Sequence, residues 1–240
     1  MTRRHVGGLI AVVVGPLGWC VGLGAIIGGD PMVSVEIGGG AVALLWAVLV
    51  VRESLRSCRV ASELSLDADD VVLFGVRCRV TRALGSDALV VGSIRPQIFV
   101  GARLIGALTA EELQAVVYHE DHHRRTRAPL RAAALGAWLH LLGRSTTVRT
   151  IVLDRLADLE TMADADAMRR GSSPSSLARA LLKGDASLQP VAFSYAADRR
   201  IQRLLERAAG NAIDGTARLP YEWIAITVLV LATLACVVGA

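Results

Sequence analysis

Aromatic side chains are scarce in this sequence: Phe, Tyr and Trp together make up 4% of 240 residues, although 53% of the chain is hydrophobic. The apolar content is carried mainly by Ala, Val, Leu and Ile, with 23 Gly, and the mean hydropathy is +0.48. That mixture suits helices in lipid better than a compact aqueous core. Cysteine is sparse too. Cys20, Cys58, Cys78 and Cys236 include no CxxC pair, which excludes a disulfide framework and a thiolate zinc site and leaves free thiols suited to a reducing compartment. No internal repeat stands out. The formal net charge of +4 raises the question of nucleic acid. The central arginines, however, are interspersed with acids and almost no aromatics lie between them, so no nucleic-acid partner is expected.

What is present is strongly segregated. Residues 6–28 carry no charge, and at ~1.5 Å per residue that run is long enough for a ~30 Å hydrocarbon layer. Residues 37–51 are uncharged but shorter, and residues 223–240 form a third uncharged run. The basic start MTRRH would suit a signal peptide, but no small-x-small cleavage site follows and another apolar run comes at once. Arg3 and Arg4 precede the first run, Arg52, Arg56 and Arg59 follow the second, and Arg203, Arg207 and Arg218 precede the last. The positive-inside rule then places the N-terminus and the charged middle in the cytoplasm and the C-terminus outside. The expected organisation is two transmembrane helices in 1–52, a cytoplasmic catalytic domain in 53–220 and a third transmembrane helix in 221–240. The chain is thus expected to be a multi-pass protein of the cell membrane, with the lipid bilayer as a partner.

Within the middle segment, residues 53–68 read as an amphipathic helix. Residues 71–82 and 88–100 read as strands of a small hairpin or three-stranded sheet, punctuated by Gly85-Ser86-Asp87 and Arg95-Pro96. Thr109 and Glu112 fit a capping box, which starts a helix that runs to about Arg127. Residues 130–142 form an apolar helix too short to span, residues 150–169 another helix, GSSPSS at 171–176 a loop, and helices are expected at 176–183 and 196–209.

The capped helix carries His119-Glu120-Asp121-His122-His123, an HExxH pattern. Spacing of i, i+4 sets two imidazoles one turn apart on one helix face, where both can bind a single Zn²⁺. Glu120 is then placed to take a proton from the attacking water and pass it to the leaving amine. His122, one residue before His123, is rotated by ~100° and faces elsewhere; His140, on an apolar helix, reads as a packed or interfacial residue. A catalytic zinc needs a third protein ligand and one open position. The helix at 150–169 offers Asp154, Asp158, Glu160, Asp164 and Asp166. Glu160 and Asp164 share a face, so Glu160 could bind the metal while Asp164 holds a histidine N–H; several of these acids must simply solvate the helix.

The segments from about Ile94 to Leu205 resemble the BlaR/MecR-type antirepressor membrane metallopeptidases, gluzincins related to HtpX-like proteases. The resemblance rests on Arg95-Pro96-Gln97-Ile98-Phe99-Val100, on Leu108 to Leu113, on His119-Glu120 with His123, on Arg125, Arg127 and Pro129-Leu130, on Glu160 with Ala163-Asp164, and on Asp198 to Leu205. It implies metal ligands His119, His123 and Glu160, the general base Glu120, and Asp164 as the partner of a ligand. Asp121 and His122 stand where relatives usually have small or apolar residues, Ala128 replaces the acid that usually precedes Pro-Leu, and an extracellular penicillin-binding sensor is not expected.

The expected fold is α+β and mainly helical, a gluzincin-like domain in an integral membrane protein with about three transmembrane helices. The expected function is a Zn²⁺-dependent endopeptidase that cleaves a cytoplasmic or membrane-proximal protein, such as a repressor-like regulator, with a separate sensor or repressor protein as a partner. Three rivals remain: a pseudo-peptidase that binds a membrane partner without cleaving it, motivated by Asp121, His122 and Ala128; a basic membrane protein that binds anionic lipid or nucleic acid; and an HtpX-like quality-control protease. Strand Gln97–Val100 is expected to offer an edge to an extended peptide. Tyr195 is a further candidate for stabilising the oxyanion.

Overall fold

Val-rich segments on either side of Phe74-Gly75 fold back on each other. The computed structural model of the chain describes residues 31–183 and Leu204, with side chains from Gly40 onward. In it, β1 (Asp69–Leu73) and β2 (Val76–Thr81) are antiparallel, with Leu73 opposite Val76. Phe74 and Gly75 both adopt positive φ, 50° and 79°, the pairing that a two-residue turn needs to match strand twist. The segment expected as one strand from residue 71 is therefore a hairpin. β3 (Ala88–Val91) returns through Gly92–Pro96 as an antiparallel partner of β4 (Gln97–Gly101). Gly92 sits at φ 95°, and a Cβ there would meet the Arg95 carbonyl.

The sheet has four strands in the order β1-β2-β4-β3, with β2 and β4 parallel. This corrects the expectation for Gln97–Val100. β4 is interior, hydrogen-bonded on both sides, and the edges are β1 and β3. The burial agrees, since Ile98, Phe99 and Val100 are 0–1% exposed. Burial of each such side chain contributes roughly 1.5–3 kcal/mol, so this strand is held in the centre by its apolar run.

Among the described residues there are six helices. They are α1 (Pro31–Leu64), α2 (Ala102–Ala107), α3 (Ala110–Arg125), α4 (Ala128–Leu142), α5 (Thr146–Arg169) and α6 (Pro174–Lys183). Helix α6 starts earlier than expected because Ser173 caps it, its hydroxyl accepting from Ser176 N at 3.0 Å, with Pro174 at the first helical position. Helix α3 lays Leu113 and Val117 on Val76, Cys78, Ile98, Val100 and Leu104 from the sheet and α2. On another side Ala115 meets Ala167, Leu177 and Ala178, which brings α5 and α6 onto α3. The chain divides into two compact units. Residues 50–136 and 152–215 form the one that contains the sheet and α3; residues 1–49, 137–151 and 216–240 form the other, in which Trp46 and Trp138 stack at 6.0 Å between centroids.

The expected membrane architecture is not what the structure supports. Among the described residues, no helix is long and apolar enough to cross a membrane. The run 37–51 belongs to α1, but its 15 uncharged residues reach only ~22 Å against ~30 Å of hydrocarbon. Arg52, Glu53, Arg56 and Arg59 follow in the same helix. The fold is α+β and mainly helical, and 37–51, the one expected span that falls among the described residues, is not a membrane-crossing helix. Runs 6–28 and 223–240, the helix expected at 196–209 apart from Leu204, and Tyr195 lie outside the described residues.

The start of α3 is fixed from two directions. Thr109 Oγ1 accepts from Glu112 N at 3.3 Å while Glu112 Oε2 accepts from Thr109 N at 3.0 Å, a reciprocal capping box. Glu112 is 1% exposed and also accepts from Lys183 Nζ at 2.7 Å and Arg179 Nε at 3.0 Å, both on α6. The Lys183 hydrogen bond, then the Thr109 N–H, outweigh burial and hold the Glu112 carboxyl down to about 2. Because that value lies below the unfolded one, the stabilisation is complete above about pH 4.5 and is lost as the pH falls toward 2. Urea unfolding at stepped pH should show this loss in the native chain and a flatter acid profile in Glu112→Gln. The variant should also be about 2 kcal/mol less stable at neutral pH. Equal acid sensitivity of the two proteins would remove Glu112 from the account.

Candidate metal centre

His119 and His123 lie one turn apart on α3, and Glu160 and Asp164 lie one turn apart on α5. The two helices present these pairs to each other in the interior, where the four side chains are 4–8% exposed. His119 Nδ1 stands 2.8 Å from Asp164 Oδ1. An ionised carboxylate only accepts, so this contact places the ring proton on Nδ1 and leaves Nε2 with a bare lone pair. That nitrogen is 3.0 Å from His123 Nε2 and 3.3 Å from Glu160 Oε2, while His123 Nε2 is 3.3 Å from Glu160 Oε1.

With the His123 proton on Nδ1, all three groups turn lone pairs toward one small volume, an arrangement that suits a cation. Its spacing fits one: ligands held at ~2.0–2.1 Å around a tetrahedral ion are ~3.3 Å apart. His119, His123 and Glu160 form a buried group that could hold a metal ion. Asp164 does not join the ligand atoms. It holds the His119 ring in the tautomer that points Nε2 inward, the usual task of a carboxylate behind a ligating imidazole. His123 Nδ1, by contrast, is buried with no hydrogen-bond partner, so its ring is held by packing and through Nε2.

Glu120 follows His119 on α3 and is half-buried. It is close enough to Cys78 for its charge to act on the thiol. Burial first, then the Asp121 charge, pushes Cys78 up to about 11, with Glu120 adding to the rise. Cys78 is therefore a protonated thiol at neutral pH, packed in the core between sheet and helix.

The two middle residues of the motif are turned away from the ligand face. Asp121, ~200° around the helix from His119, is 4% exposed and anchors a cluster of ion pairs. Its Oδ1 accepts from Arg124 Nε and Nη2 at 3.0 and 2.7 Å, and its Oδ2 from Arg125 Nε at 3.1 Å and Arg170 Nη1 at 2.8 Å. Arg125 also pairs with Asp166, which accepts from Arg169 at 2.7 Å and lies 3.5 Å from His122 Nδ1. The Arg170 guanidinium lies 3.8 Å above the Tyr118 ring. Burial works to raise the Asp121 and Asp166 carboxyls, but the arginine hydrogen bonds outweigh it and hold both below the ordinary carboxylate range. Burial lowers His122 despite the nearby Asp166. This second cluster ties the far side of α3 to the end of α5. It was not anticipated from the sequence, though Asp121 with Arg124 and Arg125 at i, i+3 and i, i+4 is a readable helix pairing. Of the other acids on α5, Asp158 is half-exposed and pairs with Arg155 at 3.4 Å.

Comparison of the chain with protein-family models, with curated proteins and with solved structures finds no match. The functional reading therefore rests on this geometry.

Titration of the purified chain with Zn²⁺ or Co²⁺ should give one site per chain, followed by calorimetry or by the Co²⁺ absorption spectrum. Removal of a ligand by His123→Ala or Glu160→Ala should abolish it. Asp164→Asn should weaken it by about 10- to 100-fold, the usual cost of a lost carboxylate behind a ligating histidine. Unchanged affinity in the two ligand variants would dismiss the site.

Proposed function

We propose that the chain is a zinc-dependent endopeptidase acting on a protein or peptide substrate. The observation that carries the reading is the convergence of His119 Nε2, His123 Nε2 and Glu160 within 3.0–3.3 Å, with a carboxylate, Glu120, next in sequence to one ligand. Two imidazoles and one carboxylate make the donor set of a hydrolytic zinc site and leave one coordination position for water or substrate. A bound Zn²⁺ would polarise the scissile carbonyl and lower the pKa of the attacking water toward ~7. The remaining work falls to the chain. Glu120 takes the water's proton and returns it to the leaving nitrogen, and Asp164 keeps His119 aligned through Nδ1.

The substrate side is read from the sheet. Strand β3 is an edge and packs against α3, so a peptide added to β3 as a further strand would run beside the helix that carries the ligands. The resemblance to antirepressor peptidases favours a regulator of the repressor type as the substrate, with broad HtpX-like turnover as the rival. The reading of an inactive relative drew on Asp121, His122 and Ala128. Asp121 pairs with Arg170, just past α5, and His122 lies beside Asp166; neither intrudes on the ligand face, which supports an intact site.

Glu120→Gln should keep the metal and lose cleavage, because an amide cannot accept the proton while the ligands are untouched. The loss in kcat should be at least about 10²-fold, read on a denatured protein substrate with the bound metal measured in parallel. Cleavage at the native rate by a metal-loaded Glu120→Gln chain would rule out this role.

A further inference from the structure

The sheet parts beside the metal-bearing helix. β2 and β4 pair only from Arg79–Phe99 to Thr81–Gly101, although β2 begins at Val76 and β4 at Gln97. Where their first residues separate lies a cleft of about 540 Å³, bordered by Arg77, Arg79, Gln97, Ile98 and, from α3, Arg124. Its volume is in the range of ligand pockets. Three arginines therefore line one opening, and each has donors to spare. Arg79 gives Nε to Asp70 and Nη1 to Ser65, which leaves Nη2. Arg124 gives Nε and Nη2 to Asp121, which leaves Nη1. The Arg77 side chain makes no hydrogen bond or ion pair among the described residues and is exposed. Asp70 is the one carboxylate in the lining and is already paired with Arg79 at 2.9 Å.

A second orphan lies in the same wall. Gln97 Oε1 is buried with no hydrogen-bond partner, an acceptor whose desolvation is uncompensated. A ligand that suits the cleft must offer an anion to the arginines and an N–H to Gln97, with apolar atoms against Val71, Val72, Pro96 and Ile98. A simple inorganic anion meets only the first demand. An acidic residue within a peptide meets all three, through its carboxylate, its backbone amide and its side-chain methylenes.

We propose that this cleft binds an acidic side chain of a peptide ligand, and that Asp121 is the residue that aims Arg124 into it. The peptide nature of the ligand draws on the endopeptidase reading; the acidic preference stands on the cleft alone. Asp121 thereby links the motif helix to substrate choice: it grips two of the Arg124 nitrogens and leaves the third for the ligand. Guanidinium–carboxylate recognition of this kind is directional as well as charged.

The test is a binding measurement that needs no cleavage. A fluorescein-labelled ten-residue Ala/Ser peptide with a central Glu-Glu pair is titrated with the full chain carrying Glu120→Gln, and its Gln-Gln counterpart serves as the reference. The Glu peptide should bind about fivefold more tightly at low salt, the size of one or two partly exposed ion pairs. The preference should shrink at ~0.5 M NaCl and vanish in Arg77→Gln, a change on an exposed side chain that leaves the core intact. Equal affinity for the two peptides, or a Glu preference that survives Arg77→Gln, overturns the proposal. So does Arg77-dependent binding of inorganic phosphate with no preference between the peptides, which marks a general anion site. Because neither metal nor turnover enters the readout, a failed endopeptidase reading and a failed cleft are told apart: the first shows in the Glu120→Gln cleavage assay, the second here.

Discussion

The meeting of two imidazoles and a carboxylate inside the protein is the constraint around which this structure is arranged. His119, His123 and Glu160 bring ligand atoms to one small volume at separations that suit a cation. Such a convergence needs the two helices that carry them to be held at a fixed distance and rotation. The apolar contacts of Ala115 with Ala167, Leu177 and Ala178 supply part of the hold. Small side chains there let α3, α5 and α6 approach closely enough for one-turn pairs on α3 and α5 to meet.

The rest of the hold is ionic. Asp121, Asp166 and the arginines around them join the same two helices on the side away from the ligands. Buried ion pairs of this sort add little net stability once desolvation is counted. What they fix is orientation: Arg170 cannot reach both Asp121 and the Tyr118 ring unless the end of α5 sits at one rotation against α3. Glu112 does the same at the other end of α3 through Arg179 and Lys183. The helix is pinned at both ends, and its ligand face is set between the pins.

A single helix thus carries distinct tasks on distinct faces. Leu113 and Val117 bury against the sheet, His119 and His123 face α5, and Asp121 turns to the arginine cluster, while Arg124 reaches the rim of the cleft. The 3.6-residue period separates these tasks. Five consecutive residues, 119–123, can therefore serve a metal site and an ion-pair cluster without mutual interference.

Much of the site was legible in the sequence because it obeys local rules. The spacing of His119 with His123, the spacing of Glu160 with Asp164, and the Thr109–Glu112 capping box each depend only on helix geometry, which is the same in any context. Helices α3, α4 and α5 and the strand character of 71–101 followed from the same short-range patterns. Three things did not. The Phe74-Gly75 turn hides inside a Val-rich run, so one apparent strand was two. The interior place of β4 depends on which strands pair across the chain, and no local period encodes that. The reading of 37–51 as a span treated an apolar run in isolation, where its length and the charges that follow in the same helix decide otherwise. The sequence alone determined which residues could be ligands, since chemistry and helical period belong to the chain. Only the tertiary structure decided that Glu160, thirty-seven residues beyond His123, meets both imidazoles, and that Asp121 faces Arg170. Those meetings are set by how helices pack through space.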